Sequence, residues 1–181
     1  MGENGGRLLL IADHMPFAGA AGDLGNAFGF DWVNGFAFTS ENSWPPSVFS
    51  AADGSLNKSP VTEGLNTREE ITSVSTFTGS AIKSPEGATN ILCFSPDHYA
   101  LIPDTAWVFS NKTQRLKLDG FCQGAILNHG KGKVAVFGEA AMFTAQIVNG
   151  NMKVGFNSED APQNAQFILN LIHWMDGQDN K

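Results

Sequence analysis

The chain has 181 residues, 42% of them hydrophobic and only 16% charged, and its 11 Lys and Arg against 18 Asp and Glu leave a net charge of −7. That length predicts one α/β domain over 1–181, able to bury about 70% of its unfolded surface without a metal or a crosslink. The composition argues against disorder; the acidic balance, with no basic cluster, argues against a nucleic-acid partner and an anionic membrane surface.

Arg7-Leu8-Leu9-Leu10-Ile11-Ala12 is a continuous apolar run. It has the pattern of a strand buried on both faces, and so of a central, parallel one. It stops at Asp13-His14-Met15-Pro16. Residues 16–28 predict a helix, with Ala21, Leu24 and Phe28 at helical spacing and Gly29 as its C-cap. Gly19, Gly22 and Gly25 inside it imply close approach to a neighbouring segment. Residues 30–38 read as an aromatic strand broken at Asn34-Gly35, and residues 39–60, with Trp44-Pro45-Pro46, as a loop. Asn66-Thr67-Arg68-Glu69 has capping-box form and predicts a helical turn.

Residues 74–82 and 90–94 read as strands, the second ending at Ser95-Pro96-Asp97-His98. Residues 99–103 and 107–110 carry no decisive pattern. The clearest element is a hairpin. Gly124-Ala125-Ile126-Leu127-Asn128 leads through His129-Gly130-Lys131-Gly132 to Lys133-Val134-Ala135-Val136-Phe137. Gly138-Glu139 then opens a strand-to-helix turn. Residues 149–162 read as loop. Residues 164–175 read as a closing helix with Phe167, Ile168, Leu171 and Met175 on one stripe and Gly177 past its end. Strands and helices joined by short turns at Asp13 and Glu139 predict a mixed, partly parallel sheet flanked by helices. Leu9, Leu10, Val136 and Phe137 are the expected core.

Cys93 and Cys122 stand apart in apolar runs, with no metal-ligand spacing, and read as two separate buried thiols. That fits a reducing, cytoplasmic setting. The early apolar run is too short for a signal-peptide core or a bilayer span. There is no P-loop, no dinucleotide fingerprint and no G-x-S-x-G elbow, so no cofactor is expected.

Polar residues at strand C-terminal ends remain, where open α/β sheets bind their ligands. The candidates are Asp13, His14, Asp97, His98 and Glu139. An Asp, a His and a Glu converging there suit general acid–base work or a polar ligand, and a metal is not expected. The structural alternative makes Asp13 a turn cap and Glu139 a favourable charge at a helix N-terminus. The turns after the first strand and after the hairpin should lie on the same edge of the sheet, with His14 and Glu139 within about 8 Å of each other. His129 lies at the far end of the hairpin, roughly 20 Å from Glu139, and reads as a turn residue. His173, beside Trp174, reads as a packing residue.

Two blocks carry a family resemblance. Gly6-Arg7-Leu8-Leu9-Leu10-Ile11-Ala12-Asp13-His14-Met15-Pro16-Phe17 is one. Gly132-Lys133-Val134-Ala135-Val136-Phe137-Gly138-Glu139-Ala140-Ala141-Met142-Phe143 is the other. Thr76-Phe77-Thr78-Gly79-Ser80-Ala81 and Pro162-Gln163-Asn164-Ala165-Gln166-Phe167 support them. Together they resemble bacterial ThuA-like and DUF4350-like proteins, relatives of the class I glutamine amidotransferase-like (flavodoxin-like) domains. The resemblance implies that fold, N-terminally truncated, because such domains carry strands and helices upstream of the matching first strand. The turn that holds the nucleophile cysteine in true amidotransferases here reads Asp13-His14-Met15, so glutaminase chemistry is not expected.

The reading that results is an amidotransferase-like domain without its cysteine, binding a small polar ligand. The alternatives are a hydrolase on a sugar-like or amide substrate, with His14 as base and Glu139 or Asp13 orienting it, and a non-catalytic protein-interaction module. Glu3-Asn4-Gly5-Gly6 has the form of a turn entering a strand. A central strand without its upstream neighbours needs a cover, and a homodimer is the expected one, or else a partner over residues 7–12. Its interface should clear roughly 1,000 Å².

Overall fold

The computed structural model describes residues 5–39 and 46–178. In chain order the elements are β1 (Arg7–Ile11), α1 (Phe17–Asn26), β2 (Asp31–Trp32), β3 (Phe36–Thr39), β4 (Ser47–Ser50), α2 (Pro60–Glu63), β5 (Ser73–Thr76), β6 (Ile82–Lys83) and β7 (Thr89–Cys93). They continue with β8 (His98–Ile102), β9 (Gln114–Lys117), β10 (Cys122–His129), β11 (Gly132–Phe137), a 3₁₀ turn (Ala141–Phe143), β12 (Ala145–Val148), β13 (Met152–Gly155) and α3 (Asn164–Asp176). The fold is mixed α/β, richer in strands than in helices. The Trp44-Pro45 part of the expected loop and the Glu3-Asn4 part of the expected entry turn lie outside the described residues.

The main sheet runs β1-β11-β10-β6-β2, with β7 also paired to β10. β1 and β11 are parallel, Leu8 opposite Val134 and Ile11 opposite Phe137. The β10–β11 hairpin has Gly124 opposite Phe137 and His129 opposite Gly132, as the alternation and the glycine turn predict. β11 is buried at every position. A smaller antiparallel sheet, β3-β8-β9, stands beside it. β4 and β13 lie within the spans 39–60 and 149–162 that the sequence marks as loop, and pair with β5 and β12 respectively. Four-residue strands in Ser-, Asn- and Gly-rich surroundings carry too little alternation to stand out.

α1 forms despite its glycines because they admit neighbours. A Cβ at Gly25 would fall inside the Trp32 indole. The chain leaves the helix through Gly29, whose φ is 83°. α3 ends on Gly177 in the left-handed conformation, as a C-terminal glycine predicts. Phe167, Leu171 and Trp174 bury the α3 stripe against Phe137 and Ala135. Asn164 fastens the helix to β5, accepting from the Ser75 amide at 3.0 Å and donating to its carbonyl at 2.7 Å. The capping box is built at Ser59 and Thr62, which start α2, rather than at Asn66. Asn66 and Glu69 instead hydrogen-bond each other in a turn.

Two expectations are corrected. The strand 7–12 is an edge strand, not a central one. Among the described residues it pairs with β11 alone, and Leu9 is 37% exposed while Val136 and Phe137 are fully buried. An all-apolar run has the same pattern whether one edge or both are paired. Cys93 and Cys122 are not separate thiols: they are register partners on β7 and β10 and form a disulfide. The inference of a reducing compartment rested on free thiols and loses that support. No helix among the described residues is long and apolar enough to cross a membrane.

Phe137→Ala should cost about 3–5 kcal/mol in chemical denaturation, whereas Val48→Ala, on an exposed side chain, should stay within about 0.5 kcal/mol. The disulfide closes a sequence separation of 29, so replacing both cysteines by Ala should cost about 3–4 kcal/mol relative to the oxidised chain.

Candidate functional site

Parallel pairing decides where the site lies. Because β1 and β11 run the same way, the turns that follow them leave the sheet at one edge. The ladder continues one residue past β1, the Ala12 amide donating to the Phe137 carbonyl at 3.0 Å. Asp13-His14 and Gly138-Glu139 come next.

Glu139 is fully buried. Its carboxyl bridges the start of the 3₁₀ turn, accepting from the Ala141 amide at 2.8 Å and the Met142 amide at 2.6 Å. It thus fills the capping role that the structural alternative assigned to it. Burial nevertheless pushes its pKa from 4.5 to about 8, the neighbouring Asp13 carboxylate adding to the rise against the opposing pull of the amides. Asp13 is half-buried, and its Oδ1 accepts from the His14 amide at 2.7 Å and the Thr78 hydroxyl at 3.3 Å. Two carboxyl groups therefore neighbour each other at the C-terminal ends of the parallel pair, the buried one with its pKa raised to about 8.

His14 makes its contacts elsewhere. Its ring stacks on Phe36 at 4.5 Å and meets the edge of Trp107 at 4.6 Å. No hydrogen bond joins it to Glu139 among the described residues. Nδ1 lies 2.7 Å from the Met15 carbonyl, which can only accept, so Nδ1 carries the hydrogen and Nε2 is the open nitrogen. Trp107 reaches this cluster from a turn at φ 67°, a conformation unusual for a bulky residue. Trp107 is 47% exposed and Phe109, packed on Phe36 at 5.2 Å, is 36% exposed.

Asp97 and His98 lie apart. His98 pairs with Thr39 at one end of the β3–β8 ladder, while Phe36, the wall of the His14 ring, pairs with Leu101 at the other, about 10 Å away. The His98 ring bonds Ser95 at 2.8 Å and packs between Phe49 and Phe94. Desolvation lowers its pKa against the pull of Ser95, Asp97 and Asp53. Asp97 is exposed. His129, read as a turn residue, is the last residue of β10, opposite Gly132, and its ring meets Phe28.

Sequence reasoning missed the lid of the site. Residues 77–80 cross over the strand ends. The Ser80 amide donates to the Gly138 carbonyl at 2.6 Å, and Gln123 donates to the Thr78 and Ser80 carbonyls at 3.1 and 3.2 Å. Gly79, at φ 110°, allows this crossing: its Cβ would strike the Gly138 carbonyl and stand 2.8 Å from Cγ of Glu139. The signal available was the Gly79 block, which enters the resemblance but not the site. Ser80 Oγ and Gln123 Oε1 are buried there without partners. No group of His, Cys, Asp and Glu among the described residues is arranged to hold a metal ion.

No family model and no curated protein matches the chain. Among solved structures it is similar to the "mmIFT52 N-terminal domain", with a TM-score of 0.58 at 13% identity, over 96% of this chain and 66% of that one. The chain thus spans about two-thirds of that chain's length. The likeness is one of fold.

Between pH 4.5 and about 8 the folded chain keeps a proton on Glu139 that the unfolded chain releases. Its contribution is full below pH 4.5, falls as pH rises through that window by at most about 1.4 kcal/mol per unit, and is flat above it. Glu139→Gln, which cannot titrate, should flatten that decline in denaturation curves taken across the window.

Proposed function

We propose that this chain is an amidotransferase-like α/β domain, without the nucleophile cysteine, that binds a small polar ligand at the C-terminal ends of β1 and β11. The observation that carries this reading is the Asp13–Glu139 carboxyl pair. A half-buried carboxylate beside a fully buried acid whose pKa is raised, at the edge where α/β sheets bind ligands, offers an acceptor set against a group that can hold a proton. The unpartnered Ser80 hydroxyl and Gln123 side-chain Oε1 add polar groups beneath the same turn. Trp107 and Phe109 supply exposed rings against which a ligand with an apolar face can rest. The ligand this chemistry recognises is uncharged or cationic and carries hydroxyl or amide donors. Support for the flavodoxin-like kinship is the parallel β1–β11 pair with polar turns at its C-terminal end.

The second reading, a hydrolase on a sugar-like or amide substrate, draws on the His14 tautomer. Its Nδ1 is committed to the Met15 carbonyl, which leaves Nε2 able to take a proton as a general base. The non-catalytic interaction module has no comparable observation in its favour.

Titration with a panel of small sugars, polyols and primary amides, followed by indole and imidazole resonances, tests the site. A binding member should shift the Trp107 and His14 signals. Asp13→Asn should weaken it by about tenfold to a hundredfold, the loss of a hydrogen bond to a charged group, while leaving the thermal midpoint little changed. Binding that survives Asp13→Asn sinks the assignment. Turnover of a panel member that disappears in His14→Gln selects the hydrolase.

A further inference from the structure

β1 is paired on one side only. The Gly6 carbonyl and the Ala12 amide bond to β11, so the even-numbered residues direct their backbone groups inward. Arg7, Leu9 and Ile11 therefore direct their amides and carbonyls to the open side, where they meet no partner among the described residues. Such an edge is a template for another strand, and native proteins ordinarily blunt it with charge, proline or a covering segment. This one carries a single charge, Arg7 at its start, and past it the Leu-Leu-Leu-Ile run has no charge, no proline and, among the described residues, no covering strand.

On one face beside the edge a groove is lined by Arg7, Leu8, Leu24, Phe28, Lys133 and Val134. On the other, the Arg7 guanidinium bonds the Met175 carbonyl and ties α3 alongside, and Leu9 is 37% exposed.

We propose that this edge pairs with the same edge of a second copy, β1 antiparallel to β1 about a two-fold axis at Leu9. Charge and register single out that occupant. The open backbone groups at Arg7, Leu9 and Ile11 are symmetric about Leu9. In the reversed copy Leu9 meets Leu9, and Arg7 meets Ile11, every one of them as a hydrogen-bonded pair. The edge is also dipolar, with Arg7 at its start and Asp13 just past its end. Reversal sets each Arg7 diagonal to the Asp13 of the other copy, on the same face of the sheet and within reach of a long side chain. A copy running the same way would set Arg7 against Arg7. The arrangement is isologous and closes on itself, leaving no further edge open at β1.

The test is the mass of the full chain by light scattering after size exclusion at micromolar concentration, where a dimer is expected. Leu9→Glu and Leu9→Lys each place like charges face to face at the axis and should each give a monomer with an unchanged circular dichroism spectrum. Mixing the two should restore the dimer. Hydrogen exchange of the wild-type chain tests the same point without any variant: the Arg7, Leu9 and Ile11 amides should be protected at high concentration and lose that protection on dilution. A monomeric wild type, single variants that remain dimeric, a mixture that stays monomeric, or exchange at these amides independent of concentration would each overturn the proposal.

Discussion

β11 is buried along its whole length and hydrogen-bonded on both sides, and the other parts of the fold take their positions from it. Its parallel neighbour β1 carries Asp13 to the edge where Glu139 emerges. Its antiparallel neighbour β10 brings Gln123 beneath the same turn, where the Gly138 amide donates to the Gln123 carbonyl at 2.7 Å. β10 in turn holds β7 through a disulfide and a ladder, so the second half of the sheet hangs on the same hairpin. A strand fixed on both sides and both faces has no freedom to slip, because a shift of one residue would turn its core side chains to the wrong face.

The Glu139 carboxyl answers to two demands that oppose each other. The amides of Ala141 and Met142 favour its anion, as they would at any helix start. Burial and the Asp13 carboxylate favour its neutral form, and they prevail. One group therefore both shapes the turn and has its pKa raised beside a carboxylate. The capping role alone calls for neither the facing Asp13 nor the orphaned polar atoms of Ser80 and Gln123. Those are the observations on which the proposed site rests.

The aromatic cluster around His14 joins the two sheets. Phe36 belongs to the small sheet and His14 to the turn after β1, and their rings stack at 4.5 Å. The imidazole is thereby oriented by ring packing and by the Met15 carbonyl rather than by a carboxylate. Geometry of this kind fixes the ring firmly while leaving one nitrogen uncommitted.

What the sequence determined by itself was local. The β10–β11 hairpin, the Asn34-Gly35 break, α3 with its terminal Gly177, and the strand-to-helix turns at Asp13 and Glu139 all follow from periodicity and turn chemistry within about ten residues. The burial of Val136 and Phe137 followed with them. What only the tertiary structure decided was who stands next to whom. The Arg7-Leu8-Leu9-Leu10-Ile11 run looks the same with one paired edge or two, so its edge position was not legible. Cys93 and Cys122 became a disulfide because β7 falls opposite β10 in a register that neither segment encodes alone. Trp107 met His14, Phe109 met Phe36, and Gly79 crossed over Glu139, through contacts between segments tens of residues apart. Alternation tells a strand which of its faces is apolar; its hydrogen-bonding partners are chosen by the packing of the whole chain, in which no single stretch of sequence holds the other half of the pair.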